Sequence, residues 1–217
     1  MSQAGPEAKP CSPVSSPRQG ALTLITGCMF SGKTSELLRR IAAVRPSESL
    51  VIKHAADDRF CASQIVSHAG EAIPARTVFL AEEILSHVRS QTRSVFLDEA
   101  HFFDAGLIDV VSWLTLSGMD MVLTTLEPDS WGVSFPINQR LRQFADDCVE
   151  KTASCAQCGS AARFTQRLTP ILGGRMVVDP SNYEPRCESC WRPPLEDRDR
   201  VIALQDAATR SNSPVTQ

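Results

Sequence analysis

The sequence predicts an α/β protein in which a parallel sheet carries helices on both faces and a small cysteine-containing module follows. Three observations support this fold class. Strand and helix patterns alternate from residue 20 to residue 150, a glycine-rich loop joins the first strand to the first helix, and residues 151 to 192 contain two pairs of closely spaced cysteines. Such alternation is typical of parallel sheets, because each strand is reached through a crossover helix.

The first predicted strand and helix enclose the segment LITGCMFSGKTSELL, residues 24 to 38. Ala21 to Thr26 is a short apolar run typical of a buried strand, and Leu37, Leu38 and Ile41 recur at helical spacing. The loop between them has the glycine, lysine and threonine spacing of a phosphate-binding loop, in which backbone N–H groups surround phosphates. Its residues are Gly27, Cys28, Met29, Phe30, Ser31, Gly32, Lys33 and Thr34. The alternative is a glycine-rich turn that matches by chance.

The later elements follow in the order expected of a parallel sheet. We expect three more strands, at Ser49–His54, Ser94–Asp98 and Asp120–Leu126, and three more helices, at Ala81–Gln91, Ala105–Leu116 and Ile137–Ala145. Residues 1 to 19 are rich in Ser and Pro and predict a disordered arm. Residues 193 to 217 predict a partly disordered tail with one short helix around residues 197 to 208.

Composition excludes several classes of protein. The net charge of −3 over 217 residues gives no electrostatic reason to expect a nucleic-acid partner. No apolar run approaches the length that crosses a bilayer, and the N-terminus lacks the features of a secretory signal. We therefore expect a cytoplasmic protein without a membrane partner.

Two adjacent carboxylates end the strand of the segment SVFLDEAHFF, residues 94 to 103. Ligands of open α/β sheets bind at the carboxyl ends of strands, so Asp98 and Glu99 are expected to lie beside the phosphate-binding loop. Asp98 is suited to hold Mg²⁺, and Glu99 could act as a base toward an attacking oxygen. The alternative is an ordinary helix cap.

Four of the eight cysteines form two C-x-x-C pairs, and the other four are scattered. The paired residues are Cys155, Cys158, Cys187 and Cys190. In a reducing compartment two such pairs predict four thiolate ligands of a structural Zn²⁺, which would close the base of a long loop. A redox pair is the competing interpretation.

From about Leu22 to Trp191 the chain resembles the type II thymidine kinases, the cytosolic thymidine kinase 1-like enzymes. The resemblance depends on five segments: GCMFSGKT at 27 to 34, DDRF at 57 to 60, DEAHFF at 98 to 103, CAQCGSAARFTQRL at 155 to 168 and YEPRCESCW at 183 to 191. It implies that ATP, Mg²⁺ and a structural Zn²⁺ are the cofactors, that a nucleoside is the substrate, and that the protein is a homo-oligomer, typically a tetramer.

The resemblance also implies roles for individual residues. Glu99 matches the catalytic base that takes the proton of the sugar 5′-hydroxyl, Lys33 matches a phosphate contact, and Arg59 matches an arginine near the transferring phosphate. Thr34 and Asp98 match the magnesium shell. Six residues match positions that line the base pocket of the family: Met29, Phe102, Leu126, Phe135, Thr165 and Tyr183. The last two match positions on a lasso-like loop of the zinc module.

Three positions depart from the family pattern around the base. His101 stands where the family has glutamine, Ser130 stands where it has an aromatic residue, and Glu127 stands where it has aspartate. The phosphate-transfer residues match while the base pocket differs. The sequence thus predicts a nucleoside kinase for thymidine or a related pyrimidine deoxynucleoside, and the alternative is a phosphate-loop ATPase or a degenerate nucleotide-binding module.

Overall fold

The computed structural model describes residues 19–57, 63–67, 70–170, 179–195 and 198–199. Twelve strands lie in this part of the chain: β1 Leu22–Gly27, β2 Ser49–His54, β3 Gln64–Val66, β4 Ala72–Pro74, β5 Arg76–Val78, β6 Ser94–Asp98, β7 Asp120–Leu126, β8 Asp147–Lys151, β9 Ala153–Ser154, β10 Ala161–Ala162, β11 Phe164–Arg167 and β12 Tyr183–Arg186. The α-helices of the same residues are α1 Lys33–Ile41, α2 Glu83–His87, α3 Leu107–Leu116 and α4 Pro136–Phe144.

Six parallel strands form the central sheet in the order β5-β2-β6-β7-β1-β8. The parallel register brings the carboxyl ends of β1, β6 and β7 to the same edge, where Gly27 lies opposite Leu126 and Leu97 lies opposite Leu123. The phosphate-binding loop and the two adjacent carboxylates therefore share this edge, as expected for open α/β sheets.

Helices cover both faces of the sheet, because successive strand residues point to opposite sides. In β2, Leu50 and Ile52 pack in the larger core with α2, α3 and α4, whereas Val51 packs in the second core. That second core holds the apolar side of α1 and Ile65 of the β3–β4 hairpin. The predicted fold class is confirmed: the sheet is parallel, it carries helices on both faces, and a small module with four clustered cysteines follows it.

The C-terminal module consists of two short antiparallel pairs, β9 with β10 and β11 with β12. It begins directly after β8, the edge strand that pairs with β1. The carbonyl of Pro185 in β12 accepts a hydrogen bond from the N–H of Ala156 in the β9–β10 turn, at 2.9 Å, and this bond joins the two hairpins.

The central strands agree closely with the sequence prediction, and the peripheral elements differ. The expected helix at Ala81–Gln91 is only five residues long, because Val88 is already extended and the Thr92 hydroxyl accepts the Arg89 N–H that a longer helix would use. Strands β5 and β8 are not predicted from the sequence. Both are edge strands with one neighbour in the sheet, so they lack the continuous apolar run of a buried strand.

Two predicted segments lie mostly outside the described residues. These are the N-terminal arm, of which only Gln19 is described, and the tail helix, of which only residues 198 and 199 are described. Across the described part of the chain, no helix combines the length and apolar character that a bilayer crossing needs.

Candidate active site

The phosphate-binding loop connects β1 to α1 with a backbone that only glycine adopts easily at two positions. Gly27 has φ 152°, and a Cβ there would lie 2.3 Å from the carbonyl oxygen of Lys151 in β8. Gly32, the residue before α1, has φ 81° in the left-handed region. The loop therefore turns tightly against β8 and directs the first N–H groups of α1 into its own concave side.

Lys33 is buried within this loop. Its ammonium group donates a hydrogen bond to the carbonyl of Cys28 at 2.9 Å, so the side chain folds back over the loop. The positive charge and the N-terminus of α1 lie together, which makes the loop a favourable place for phosphate oxygens.

Oxygen atoms of three residues meet where the loop faces β6 and β7. The Thr34 hydroxyl lies 3.5 and 3.4 Å from the two carboxylate oxygens of Asp98, and the Thr124 hydroxyl donates a short hydrogen bond to Asp98 Oδ1. Hydroxyl and carboxylate oxygens are the ligands Mg²⁺ prefers, so Thr34 and Asp98 fit the magnesium shell that the sequence predicts.

Glu99 follows Asp98 in a backbone conformation that is unusual for a residue with a side chain. Its φ and ψ are 55° and 52°, and its N–H donates to the Thr124 hydroxyl at 3.0 Å. Non-glycine residues in this region carry strain and are concentrated at functional sites. One threonine thus holds the backbone of Glu99 and the carboxylate of Asp98.

Sequence reasoning did not identify Thr124. The signal was present in the segment VLTTL, residues 122 to 126, where two polar residues occur near the end of an otherwise apolar strand. Both threonines are fully buried, and a buried hydroxyl requires a hydrogen-bond partner. The Thr125 hydroxyl finds its partner elsewhere, in Asn138 of α4 at 2.6 Å.

Three of the predicted base-pocket residues surround His101. Its imidazole ring centroid lies 4.2 Å from that of Phe102 and 4.9 Å from that of Phe135, and its Nδ1 accepts a hydrogen bond from the Leu126 N–H at 3.3 Å. Because Glu99 lies in the same turn, this aromatic cluster borders the two carboxylates.

The other predicted pocket residues are Met29 in the loop and Thr165 and Tyr183 in the C-terminal module. The Met29 N–H donates to the Thr165 hydroxyl at 3.0 Å, and Thr165 is buried. Tyr183 lies opposite Arg167 in the β11–β12 pair, and burial raises the pKa of its phenol despite the nearby positive charge of Arg167. Arg59, the predicted phosphate-contacting arginine, lies outside the described residues.

The four paired cysteines form one cluster. The sulfur atoms of Cys155, Cys158, Cys187 and Cys190 all lie within 4.8 Å of one another, although the two pairs are far apart in sequence. Four thiolates at Zn–S distances of about 2.3 Å would have sulfur atoms about this close. The cluster therefore fits the tetrahedral zinc that the sequence predicts.

Cys28 is a buried thiol in the phosphate-binding loop. Its Sγ donates to the carbonyl of Ala162 in β10 at 3.4 Å. Burial raises the pKa of this thiol, although Lys33 opposes the shift. Cys28 therefore remains protonated near neutral pH and serves as a packing contact between loop and module.

Comparison with known proteins shows to which family this chain belongs. A family model described as "Thymidine kinase" matches residues 20–191. The chain belongs to the thymidine kinase family. The curated proteins similar to it include two thymidine kinases of Bacteroides fragilis, from strains YCH46 and ATCC 25285. Each is 34% identical over 186 residues, covering 84% of this chain and 93% of the relative.

Membership of the thymidine kinase family confirms the resemblance found in the sequence and makes the chain a phosphotransferase of the thymidine kinase type.

The solved structures similar to this chain include the Legionella pneumophila ATPase DotB, with a TM-score of 0.39 and 19% identity. That match covers 69% of this chain and 46% of DotB, and it is too distant to bear on function.

Proposed function

We propose that this thymidine kinase family member transfers the γ-phosphate of ATP to the 5′-hydroxyl of thymidine or a related pyrimidine deoxynucleoside. The observation that carries the proposal is the shared hydroxyl of Thr124, which holds Asp98 and Glu99 together beside the phosphate-binding loop. A kinase needs a phosphate cradle, a metal-binding carboxylate and a base within one small volume, and this arrangement supplies residues for all three.

Each part of the loop then has a distinct task. The first N–H groups of α1 and the Lys33 ammonium bind phosphate oxygens, and Thr34 and Asp98 would hold Mg²⁺. The bound metal would neutralise charge on the β- and γ-phosphates. Arg59 is proposed to approach the transferring phosphate as well.

Glu99 is proposed as the general base. Its carboxylate takes the proton from the 5′-hydroxyl while that oxygen attacks the γ-phosphorus, and the bond to the bridging oxygen of ADP breaks. The strained backbone at Glu99 and its hydrogen bond to Thr124 support this role, because both fix the backbone position from which the Glu99 side chain extends.

The nucleoside base is proposed to bind between the aromatic cluster and the C-terminal module. Phe102, Leu126 and Phe135 would contact its faces, and Met29, Thr165 and Tyr183 would complete the pocket from the loop and the module. Zinc on the four cysteines would hold the two hairpins of the C-terminal module together beside this pocket.

The resemblance extends the proposal to a homo-oligomer, a tetramer, that works in the cytoplasm without a nucleic-acid or membrane partner. Light scattering on the purified protein measures the oligomeric state. Fractionation of cells that express the protein locates the compartment.

A nucleoside panel tests the proposed reaction. The purified protein is incubated with ATP and Mg²⁺ and with each natural deoxynucleoside and ribonucleoside in turn, and nucleoside monophosphate and free phosphate are measured separately. We expect monophosphate from thymidine or another pyrimidine deoxynucleoside, with little free phosphate. Free phosphate without any nucleoside monophosphate would instead indicate an ATPase.

A further inference from the structure

His101 lies at the junction of the proposed base and the proposed nucleoside pocket. It belongs to the 3₁₀ turn Ala100–Phe102 that follows Glu99 directly, and its side chain is only 4% exposed. Its Nδ1 lies 3.4 Å from Glu99 Oε2 and 3.3 Å from the Leu126 nitrogen. One edge of the ring therefore faces the carboxylate and the end of β7.

The faces of the same ring contact the aromatic cluster. The contacts with Phe102 and Phe135 are tilted, at interplanar angles of 36° and 45°, and aromatic rings in such contact attract one another. Since the Leu126 N–H donates to Nδ1, the neutral ring carries its proton on Nε2. The phenyl rings and this hydrogen bond together fix the orientation of the imidazole.

We propose that His101 is a positioning residue that connects the nucleoside pocket to the Glu99 carboxylate, an inference that rests on the proposed function. The Nδ1 lone pair, which accepts the Leu126 N–H, repels the buried Glu99 carboxylate oxygen 3.4 Å away and so restricts where Oε2 can lie. The ring faces of His101 support the two phenylalanines of the pocket. We therefore expect Nδ1 of His101 to affect kcat and the packing of its ring to affect the nucleoside KM.

Two substitutions separate these contributions. His101→Phe keeps an aromatic ring beside the two phenylalanines and removes Nδ1, whereas His101→Asn keeps a polar group attached at Cγ, where Nδ1 is attached, and removes the ring. We expect His101→Phe to lower kcat roughly 10- to 100-fold with the nucleoside KM within about twofold, because misplacing a catalytic group by about 1 Å costs on that order. We expect His101→Asn to raise the nucleoside KM roughly 3- to 10-fold and to retain most of kcat.

His87 provides the matched control. It ends α2 and precedes β6, so it lies toward the end of the sheet opposite the carboxylates. His87→Phe should leave kcat and KM unchanged. If both His101 variants change stability but give the same small change in kcat and in KM, His101 has a packing role only and the proposal is wrong.

A spectroscopic measurement tests the contact without relying on turnover. Long-range ¹⁵N–¹H spectra of the imidazole nitrogens are recorded for the wild-type protein and for Glu99→Gln, with His101 assigned by its absence from a His101 variant. We expect Glu99→Gln to shift the Nδ1 resonance of His101 and to leave that of His87 in place. An unchanged His101 resonance would contradict the contact whatever the kinetic results of the His101 variants.

The outcomes also separate this inference from the proposed function. If Glu99→Gln abolishes turnover and His101→Phe does not lower kcat, Glu99 remains the base and His101 does not position it. If Glu99→Gln retains wild-type turnover, the proposed base itself is wrong, and any effect of His101 on kcat has another origin.

Discussion

Thr124 shows how one buried hydroxyl organises two functional residues. The hydroxyl accepts the Glu99 N–H and donates to Asp98, so it connects the backbone of the proposed base to the proposed metal ligand. The pattern of Asp98 and Glu99 could be predicted from sequence, because two carboxylates end an apolar strand. The partner on β7 could not, because its proximity depends on the register between β6 and β7.

Thr124→Val should separate this role from general stability. Loss of the hydroxyl leaves the Glu99 N–H buried without its acceptor, at a cost of about 1–3 kcal/mol, and releases Asp98. We expect kcat to fall about 10- to 100-fold. Thr125→Val is the matched control, because the Thr125 hydroxyl bonds Asn138 instead. Equal losses of kcat in the two variants would contradict the role of Thr124.

His54 couples stability to pH. Its Nδ1 accepts the Ala56 N–H at 3.0 Å, its Nε2 faces the Phe79 carbonyl at 2.9 Å, and its ring packs against Phe103. Burial lowers the pKa of this imidazole below its ordinary value, although the hydrogen bond to Phe79 and the nearby carboxylates of Asp104, Asp57 and Glu83 oppose the shift. The neutral ring is therefore the form that the folded protein favours.

The sign of the pH effect follows from this lowered pKa. As pH falls below about 6.5, the unfolded chain binds a proton before the folded chain does, so the free energy of unfolding falls until the folded pKa is reached. Denaturant unfolding at pH 7.5 and pH 5 measures the loss. His54→Phe should reduce the loss between these two pH values. An unchanged pH dependence in that variant would exclude His54 as its source.

Among the strands of the central sheet, the sequence predicts the buried strands well and the edge strands poorly. β2, β6 and β7 have the expected bounds, because a strand buried on both faces is a continuous apolar run between turns. β8 has only partly buried or exposed side chains, and its place is set by hydrogen bonds to β1. Pairing of this kind leaves little trace in residue type.

The C-terminal hairpins should depend on zinc. β9 and β10 have two residues each, and the small buried cluster beside them consists of Cys155, Ala162 and Cys187. So small a core cannot hold the hairpins together without a further link, and metal binding supplies folding free energy. We expect about one zinc per chain, and a strong chelator should abolish hydrogen-exchange protection across residues 153 to 191 while α1 stays protected. Protein purified without chelators that contains no zinc would overturn the site.

At the scale of the whole molecule, the phosphate-binding loop rests against the C-terminal module. The Met29 N–H donates to the hydroxyl of Thr165 in β11, and the Cys28 thiol donates to the carbonyl of Ala162 in β10. The family resemblance implies only a pocket role for Thr165. This docking could not be anticipated, because it joins residues more than 130 positions apart through one hydroxyl and one thiol.

Thr165→Val tests whether the docking supports nucleotide binding. The variant removes the acceptor of the Met29 N–H, a change worth about 1–2 kcal/mol, so we expect the Kd for ATP to rise roughly 5- to 30-fold. Thr165→Ser keeps the hydroxyl and should bind ATP nearly as the wild-type protein does. Isothermal titration measures both variants. Equal ATP affinities of the valine and serine variants would show that the conformation of the phosphate-binding loop does not depend on its hydrogen bond to the module.

Glu99→Gln, compared with the wild-type protein in the presence of ATP, Mg²⁺ and thymidine, tests the proposed kinase reaction. The glutamine keeps the shape of the side chain and removes the base, so we expect thymidine monophosphate from the wild-type protein and a rate at least ~100-fold lower from the variant. ATP binding, measured by titration, should persist in both. Thymidine monophosphate formed at the wild-type rate by Glu99→Gln would exclude Glu99 as the base, and free phosphate as the sole product of the wild-type protein would exclude the kinase reaction.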